Sequence, residues 1–277
     1  MERGLIKMWR AVKPYVPVGM QPYAAVPYRG YVRLLCWYHE LRRDPPGPDG
    51  LPLPPAALRH RVIGVADARS FSESIPKVKA DLAAALARAG RSVDEFSSIL
   101  DFGSGCGRGL RALAGGKAKL SGSDIDAAAV RWCQTHLPFA RWEVNGEHPP
   151  LAFADQSFDL IYSISVFTHL DEQHQLEWLA ELQRVAKPGA ILLLTVHGKA
   201  SYRSLPEQVQ AHIEREGFLY LPTYADKGRF PDWYQNAYHS EDYARSTFGK
   251  YFKVLDYQPT AIYGQDLVVV ERTSARH

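Results

Sequence analysis

Residues 99–109 read Ile-Leu-Asp-Phe-Gly-Ser-Gly-Cys-Gly-Arg-Gly, with glycine at 103, 105, 107 and 109 after a short apolar run. A strand ending in such a turn lets a ligand approach the backbone, because no Cβ stands in the way. The helix that follows presents N–H groups to a carboxylate or phosphate. Asp124 follows at about the twenty-residue interval at which an acid meets a ribose in sites of this kind. The dinucleotide fingerprint, however, needs glycine at its first, third and sixth positions. Counted from Gly103 the sixth residue is Arg108, and from Gly105 it is Leu110, so that register fails. Cys106 sits within the turn, where a helix N-terminus can activate a thiol. No other nucleophile signal accompanies it, and the residue reads as small and buried.

Proton-transfer candidates come later in the chain. His169 follows a predicted fourth strand and His197 ends a fifth, both at strand ends where ligands of an open α/β sheet bind. An imidazole there can serve as general base, and His239 is a weaker third candidate. No metal-ligand spacing is evident: H-E-x-x-H is absent, and His169 with His174 is an unsupported pair. A Walker lysine in G-K-[ST] context and a G-x-S-x-G elbow are also missing.

The elements that position these residues follow an alternating rhythm. Pro76 suits a first helical turn, and Val78, Leu82, Leu86 and Ala89 recur at helical spacing before Gly90. Strands are predicted at 98–102, 118–124, 139–144, 158–164 and 190–196, with helices at 107–114 and 127–136, the latter capped by Asp126. Thr168-His169-Leu170-Asp171 matches a capping box opening a helix with Leu176, Leu179, Leu182 and Val185 on one face. Lys187-Pro188-Gly189 is a turn into the buried run 190–196. Beyond it come a helix at 205–216, an irregular segment, a helix capped by Ser240 and running to 248, and strands at 252–257 and 265–270. The pattern implies an α/β, doubly wound, mostly parallel sheet.

G-x-G-x-G preceded by Asp-x is a form found in S-adenosylmethionine (SAM) sites. Asp101 to Gly107, Gly122-Ser123-Asp124-Ile125-Asp126, Ser157-Phe158-Asp159-Leu160-Ile161 and Lys187-Pro188-Gly189-Ala190 occur in order. Over residues 70 to 271 the chain thereby resembles the class I, Rossmann-like SAM-dependent methyltransferases. The resemblance implies a seven-stranded sheet in the order 3-2-1-4-5-7-6 and SAM as cofactor. Expected cofactor-binding residues are Asp101, Gly103, Ser104, Gly105, Asp124, Ile125, Asn145, Gly146 and Ser163, with Asp124 accepting from both ribose hydroxyls. Many relatives carry aspartate after the third strand, facing the adenine amino group. Asn145 stands there and also offers a carbonyl oxygen. Asp126 reads as a helix cap and Asp159 as a structural strand-end residue.

Composition bounds the rest. The 277 residues are 46% hydrophobic and 23% charged, which excludes a wholly disordered, collagenous or coiled-coil chain. Residues 1–60 hold ten of the 19 prolines and nine Lys/Arg against four Asp/Glu. They read as a mildly basic arm, with a short aromatic helix at 31–41 that packs on the body as a lid, and a Pro/Gly linker at 44–50. Residues 1–69 are thus expected to be an arm, 70–277 the SAM-binding domain, and 198–239 a substrate-cap insertion. Eight aromatics between Phe218 and Tyr243 mark that insertion. No run is long and apolar enough for a membrane span, the charged start lacks the features of a signal peptide, and three cysteines in no C-x-x-C pair suit a reducing cytoplasm. The favoured function is methyl transfer to a small-molecule oxygen nucleophile, with His197 and His169 as catalytic candidates. Nucleic acid is disfavoured, since Ser163-Ile164-Ser165-Val166 lacks the Asn/Asp-Pro-Pro-Tyr/Phe form of nitrogen methylation. RNA methylation and a non-catalytic SAM-binding partner protein are the alternatives, with an NAD(P)-dependent oxidoreductase behind them.

Overall fold

The structure, a computed structural model, describes residues 21–42, 44–221 and 233–273. The opening decapeptide and the aromatics Tyr224 and Phe230 lie outside the described residues. Those described fall into two compact units, 21–74 with 233–234, and 75–221 with 235–273.

The larger unit is built on apolar strands. β1 (Ser98–Phe102), β2 (Lys119–Asp124), β3 (Ala140–Val144), β4 (Phe158–Ser163) and β5 (Ala186–Val196) run parallel, closed by antiparallel β9 (Gln265–Glu271) and β8 (Lys253–Ile262). The sheet order is 3-2-1-4-5-9-8. This is the expected arrangement; the last two strands count as ninth and eighth because β6 (Phe218–Leu221) and β7 (Asn236–His239) pair in a ribbon of their own. Leu192, Leu193 and Leu194 in β5 and Val268, Val269 and Val270 in β9 are completely buried, as strands covered on both faces must be. Lys187-Pro188-Gly189 does not separate two elements. Phe158 pairs with Ala186 but Leu160 with Ile191, so these residues bulge out of an eleven-residue strand, with Gly189 at φ +79°.

Helices follow the strands. α4 (Arg108–Leu113) follows β1, and α5 (Ala127–His136) follows β2 with Asp126 accepting from the amides of Ala128 and Ala129. α6 (Glu172–Val185) buries Trp178, Leu179, Leu182 and Val185. Its cap is Asp171, whose Oδ1 accepts from His174 N at 2.9 Å. The capping-box reading therefore started this helix three residues early: Thr168 is drawn into backbone pairing, accepting from Ala237 N at 2.8 Å. Short α7 (Lys199–Tyr202) and α8 (Glu207–Glu216) precede the ribbon, and α9 (Glu241–Phe248) is capped by Ser240 as expected.

The N-terminal helices depart further from expectation. α1 (Gln21–Glu40) starts well before the predicted 31–41 and exposes Leu34, Trp37 and Tyr38, with exposed Leu41 just past its end. α2 (Ala56–Ile63) was hidden by its prolines; Pro55 precedes it, and Glu40 Oε1 accepts from Ala56 N at 2.8 Å in place of a local cap. Arg59 in α2 is buried but paired with Asp44 at 2.8 Å. α3 (Ala68–Arg88) begins eight residues before Pro76, which sits inside the helix. Pro76 costs the helix one backbone bond, and Asp67 Oδ1 caps the true start, accepting from Ser70 N at 2.7 Å.

Among the described residues no helix is long and apolar enough to cross a membrane. Since the sheet is the frame for everything that follows, Leu193→Ala should cost about 2–5 kcal/mol of stability, read from the urea unfolding midpoint.

Candidate functional site

The site forms at the carboxyl ends of β1, β2, β4 and β5. After β1 the chain turns through Gly103 at φ +85°, Gly105 at +53° and Gly107 at +78°, a left-handed run that side chains resist. A Cβ on Gly103 would stand 2.2 Å from Val166 Cγ2, so the turn and the loop after β4 touch. At Gly109 a Cβ would meet Asp101 Oδ2 at 2.7 Å and Tyr162 Oη at 2.6 Å. Asp101 thus lies buried beneath the turn, its Oδ2 accepting from the Tyr162 hydroxyl at 2.9 Å, and burial pushes its pKa up to about 7.

Asp124 ends β2 and holds the turn in place. Its Oδ2 accepts from Gly105 N at 2.6 Å and its Oδ1 from Asp126 N at 2.7 Å. Ser123 O accepts from both Gly103 N at 2.8 Å and Ser104 N at 3.0 Å. Next along the edge, Asn145 N donates to Asp124 O at 3.1 Å. The Asn145 side chain is fixed too, Oδ1 accepting from Ser123 Oγ and Nδ2 donating to Gly146 O, each at 2.8 Å. Its carbonyl oxygen keeps one lone pair for a further donor. Ile125 and Gly146 flank these groups.

These residues fit the expected cofactor. Ser104 Oγ is a buried hydroxyl with no partner, Gly103 and Gly105 on either side of it take left-handed backbone conformations, and Asp124 is a carboxylate already aligned by two amides. Ser163, at the end of β4, is also buried with its hydroxyl unpartnered. Cys106 is buried and its thiol is pushed up to about 12, so it is no nucleophile. Asp126 is a cap, and Asp159 accepts from the amides of Ser97 and Ser98 and pairs with Lys187.

The loop after β4 carries His169, whose N donates to Val166 O at 2.9 Å, and brings it beside His197, with ring centroids 5.8 Å apart. Tyr238 of β7 stacks on His197 at 5.5 Å, and His239 N donates to His197 O at 2.9 Å. Because its partner is the Gln235 carbonyl at 2.8 Å, the His169 Nδ1 carries the proton and Nε2 the lone pair. Fully buried His239 pairs through Nε2 with Gln175 Oε1 at 3.0 Å. Burial pulls all three imidazoles down, His169 and His197 to about 4 and His239 to about 3. They are neutral at physiological pH and can accept a proton, though each is a weaker base than an ordinary histidine.

Sequence reasoning named the glycines, Asp124, Asn145 and two histidines, which the fold brings to one sheet edge. It missed Tyr162, Ser123, Val166, Tyr238 and Gln175. A tyrosine inside the apolar run of β4 was the one local sign, since a buried hydroxyl needs a partner.

Residues 100–194 match a family model described as a methyltransferase domain. Several solved structures share the fold. A SAM-dependent methyltransferase from Methanosarcina mazei is 20% identical, with 64% of this chain and 92% of that one covered at TM-score 0.50. A methyltransferase in complex with the Haloferax volcanii Trm112 methyltransferase activator is 20% identical, with 80% and 96% covered at TM-score 0.54. The Burkholderia thailandensis 1,6-didemethyltoxoflavin-N1-methyltransferase, with bound 1,6-didemethyltoxoflavin and S-adenosylhomocysteine, is 14% identical, with 80% and 92% covered at TM-score 0.52.

The three histidines, His239 fully buried and His169 and His197 partly so, set a sign for pH dependence. Each has a folded pKa below its unfolded value near 6.5, so its neutral form is favoured by folding. Stability is therefore full above about pH 6.5 and lost as pH falls towards 4, each residue contributing at most about 1.4 kcal/mol per pH unit. His239→Gln should flatten the unfolding free energy between about pH 6.5 and 5 by up to that amount. A slope equal to wild type would remove His239 from the titrating set.

Proposed function

We propose that the chain is a class I SAM-dependent methyltransferase, a reading supported by the methyltransferase-domain match over residues 100–194 and by the shared fold, and that its acceptor is a small molecule methylated on oxygen. The cofactor supplies an electrophilic methyl group on a sulfonium, and catalysis of such a transfer is chiefly alignment of the acceptor atom. On this reading Gly103, Ser104 and Gly105 receive the cofactor's amino-acid end, with Asp101 supporting the turn from beneath. Asp124 and Ile125 receive its ribose, Asn145 and Gly146 its adenine, and Ser163 closes the floor between them.

The observation that carries the acceptor proposal is the contact chain from Gly103 to Val166 to His169 to His197. Two neutral imidazoles stand one loop away from the cofactor turn, beside a stacked tyrosine. A nitrogen with a conjugate-acid pKa of about 4 cannot strip a proton from an ordinary alcohol. It suits an oxygen that ionises readily, such as an acidic phenol or a carboxylic acid, which it orients by accepting the acceptor's hydrogen bond. Aromatic residues of the insertion, Tyr220 and Tyr238 among those described, would give a ring-shaped acceptor an apolar wall. One protein of similar fold holds a small molecule together with S-adenosylhomocysteine, while another is found with the Trm112 activator. The reading also takes the chain as a cytoplasmic enzyme whose buried thiols Cys106 and Cys133 suit a reducing environment.

Asp124→Ala should weaken S-adenosylhomocysteine binding by about 1.5–3 kcal/mol, measured calorimetrically. Gly103→Val should abolish it, because the added side chain strikes Val166 and enters the turn. Unchanged affinity in either variant removes that residue from the cofactor site.

The acceptor is tested with radiolabelled SAM against phenols, carboxylic acids, amines, RNA and protein. Transfer to acidic oxygen compounds is expected, and His197→Ala should lower kcat for them roughly 10²-fold while cofactor affinity stays unchanged. Transfer confined to RNA or protein would sink the small-molecule reading.

A further inference from the structure

We propose that Glu147, His148 and His174 bind a divalent transition-metal ion of the zinc type, at a site separate from the one that holds the cofactor. Glu147 and His148 lie in the turn after β3, and His174 lies in the first turn of α6. One ligand atom from each falls within 4.8 Å of the others. The separation in sequence, across all of β4, explains why no spacing motif announces the set.

Three features make this more than a chance meeting of side chains. The first concerns tautomers. His148 Nδ1 lies 2.7 Å from Glu177 Oε2, and His174 Nδ1 lies 2.8 Å from Asp171 Oδ1. A carboxylate at Nδ1 keeps the proton there and leaves Nε2 as the donor atom, the second-sphere arrangement of metal-bound histidines. Both imidazoles have it.

The second is spacing. His174 Nε2 stands 3.5 Å from Glu147 Oε1, long for a hydrogen bond. Two ligands about 2.0–2.2 Å from a tetrahedral ion are separated by about 3.4 Å, so the gap matches an ion seated between them. The third is preorganisation. The His148 and His174 rings lie nearly parallel, 4.8 Å apart at 16°, and Trp178 Nε1 donates to Glu147 O at 3.2 Å, tying the turn to α6. His174 is buried, whereas Glu147 and His148 are exposed, so a bound ion keeps a side open to water. Two imidazoles and one carboxylate are the borderline donors that suit Zn²⁺, and Glu147, Asp171 and Glu177 supply the negative charge that offsets the ion.

The same contacts would also serve as an ion-pair network bracing α6, and the experiment separates the two. Tag-free, chelator-treated full-length protein is titrated with zinc chloride by calorimetry in a non-coordinating buffer near neutral pH. One ion per chain is expected, in the micromolar range or tighter. His148→Ala, His174→Ala and Glu147→Gln should each weaken it by at least about tenfold, and Glu177→Gln by about 10–100-fold through the second sphere. His212→Ala, on α8, should leave it unchanged. His148 is exposed, so its variant folds even if the His174 variant does not; circular dichroism and S-adenosylhomocysteine binding check each. Zinc binding in wild type no tighter than in His148→Ala, or an equal loss in His212→Ala, overturns the site in favour of the structural network.

Discussion

The carboxylate of Asp124 is the constraint on which the sheet edge depends. Its two oxygens each take a backbone amide, Gly105 from the turn after β1 and Asp126 from the start of α5. The three left-handed glycines of this turn have no side chains to fix them, and each loses more freedom on ordering than any other residue. The charge-assisted bonds from Asp124 supply that fixing force from the neighbouring strand. Ser123 O adds two more amide contacts from the same strand end. On the proposed reading an acid at this position is structural and functional together: the residue that would receive a ligand's hydroxyls also holds the surface they approach.

A second layer of backbone pairing joins the edge to the insertion. Residues 235–239 run along the loop after β4 and the end of β5: Gln235 N donates to His169 O, Ala237 N to Thr168 O, and His239 N to His197 O. Main-chain bonds of this kind fix the path of β7 whatever its side chains are. Tyr238 is thereby set against His197, and His239 is driven into the interior beside Gln175. The histidines are low in pKa first because burial removes water from them, and repulsion between neighbouring imidazolium charges, His169 on His197 and His197 on His239, lowers the latter two further.

What the sequence made legible follows from where each signal resides. Parallel strands covered on both faces are near-continuous apolar runs, so Ala190 to Val196 and the strand before Gly103 could be read directly. Asp126 and Ser240 cap the helices that begin one residue later, a local bond between neighbours in sequence. The failures are non-local. Thr168 has the composition of a cap, but it is claimed by Ala237, seventy residues away in sequence by rough count, and Asp171 caps α6 instead. α2 is capped by Glu40 from a different helix, and the β6–β7 ribbon is paired across a long connection, so neither leaves a local trace. The candidate site divides in the same way. The glycines, Asp124 and Asn145 announce themselves, whereas Tyr162 under Gly109 and Val166 against Gly103 show only once the strands are side by side.

The low basicity of His169 and His197 narrows the chemistry further than their positions do. On the proposed reading a proton must leave the acceptor oxygen at or before methyl transfer, and an imidazole whose conjugate acid has a pKa of about 4 receives it reluctantly. The cost of that transfer, about 1.4 kcal/mol for each unit by which the acceptor is the weaker acid, falls steeply as the acceptor becomes more acidic. An acceptor already ionised in solution avoids it and needs only a hydrogen-bond donor. His169, with its proton held on Nδ1 by the Gln235 carbonyl, cannot be that donor without breaking this bond. His197 is held in a similar way: its Nδ1 has no partner, but a hydrogen bond to the Ala237 backbone favours a ring proton and partly offsets the burial that lowers its pKa. On the proposed reading both histidines therefore meet an acceptor through a lone-pair nitrogen, and a neutral oxygen acid that gives up its proton readily is the acceptor they suit.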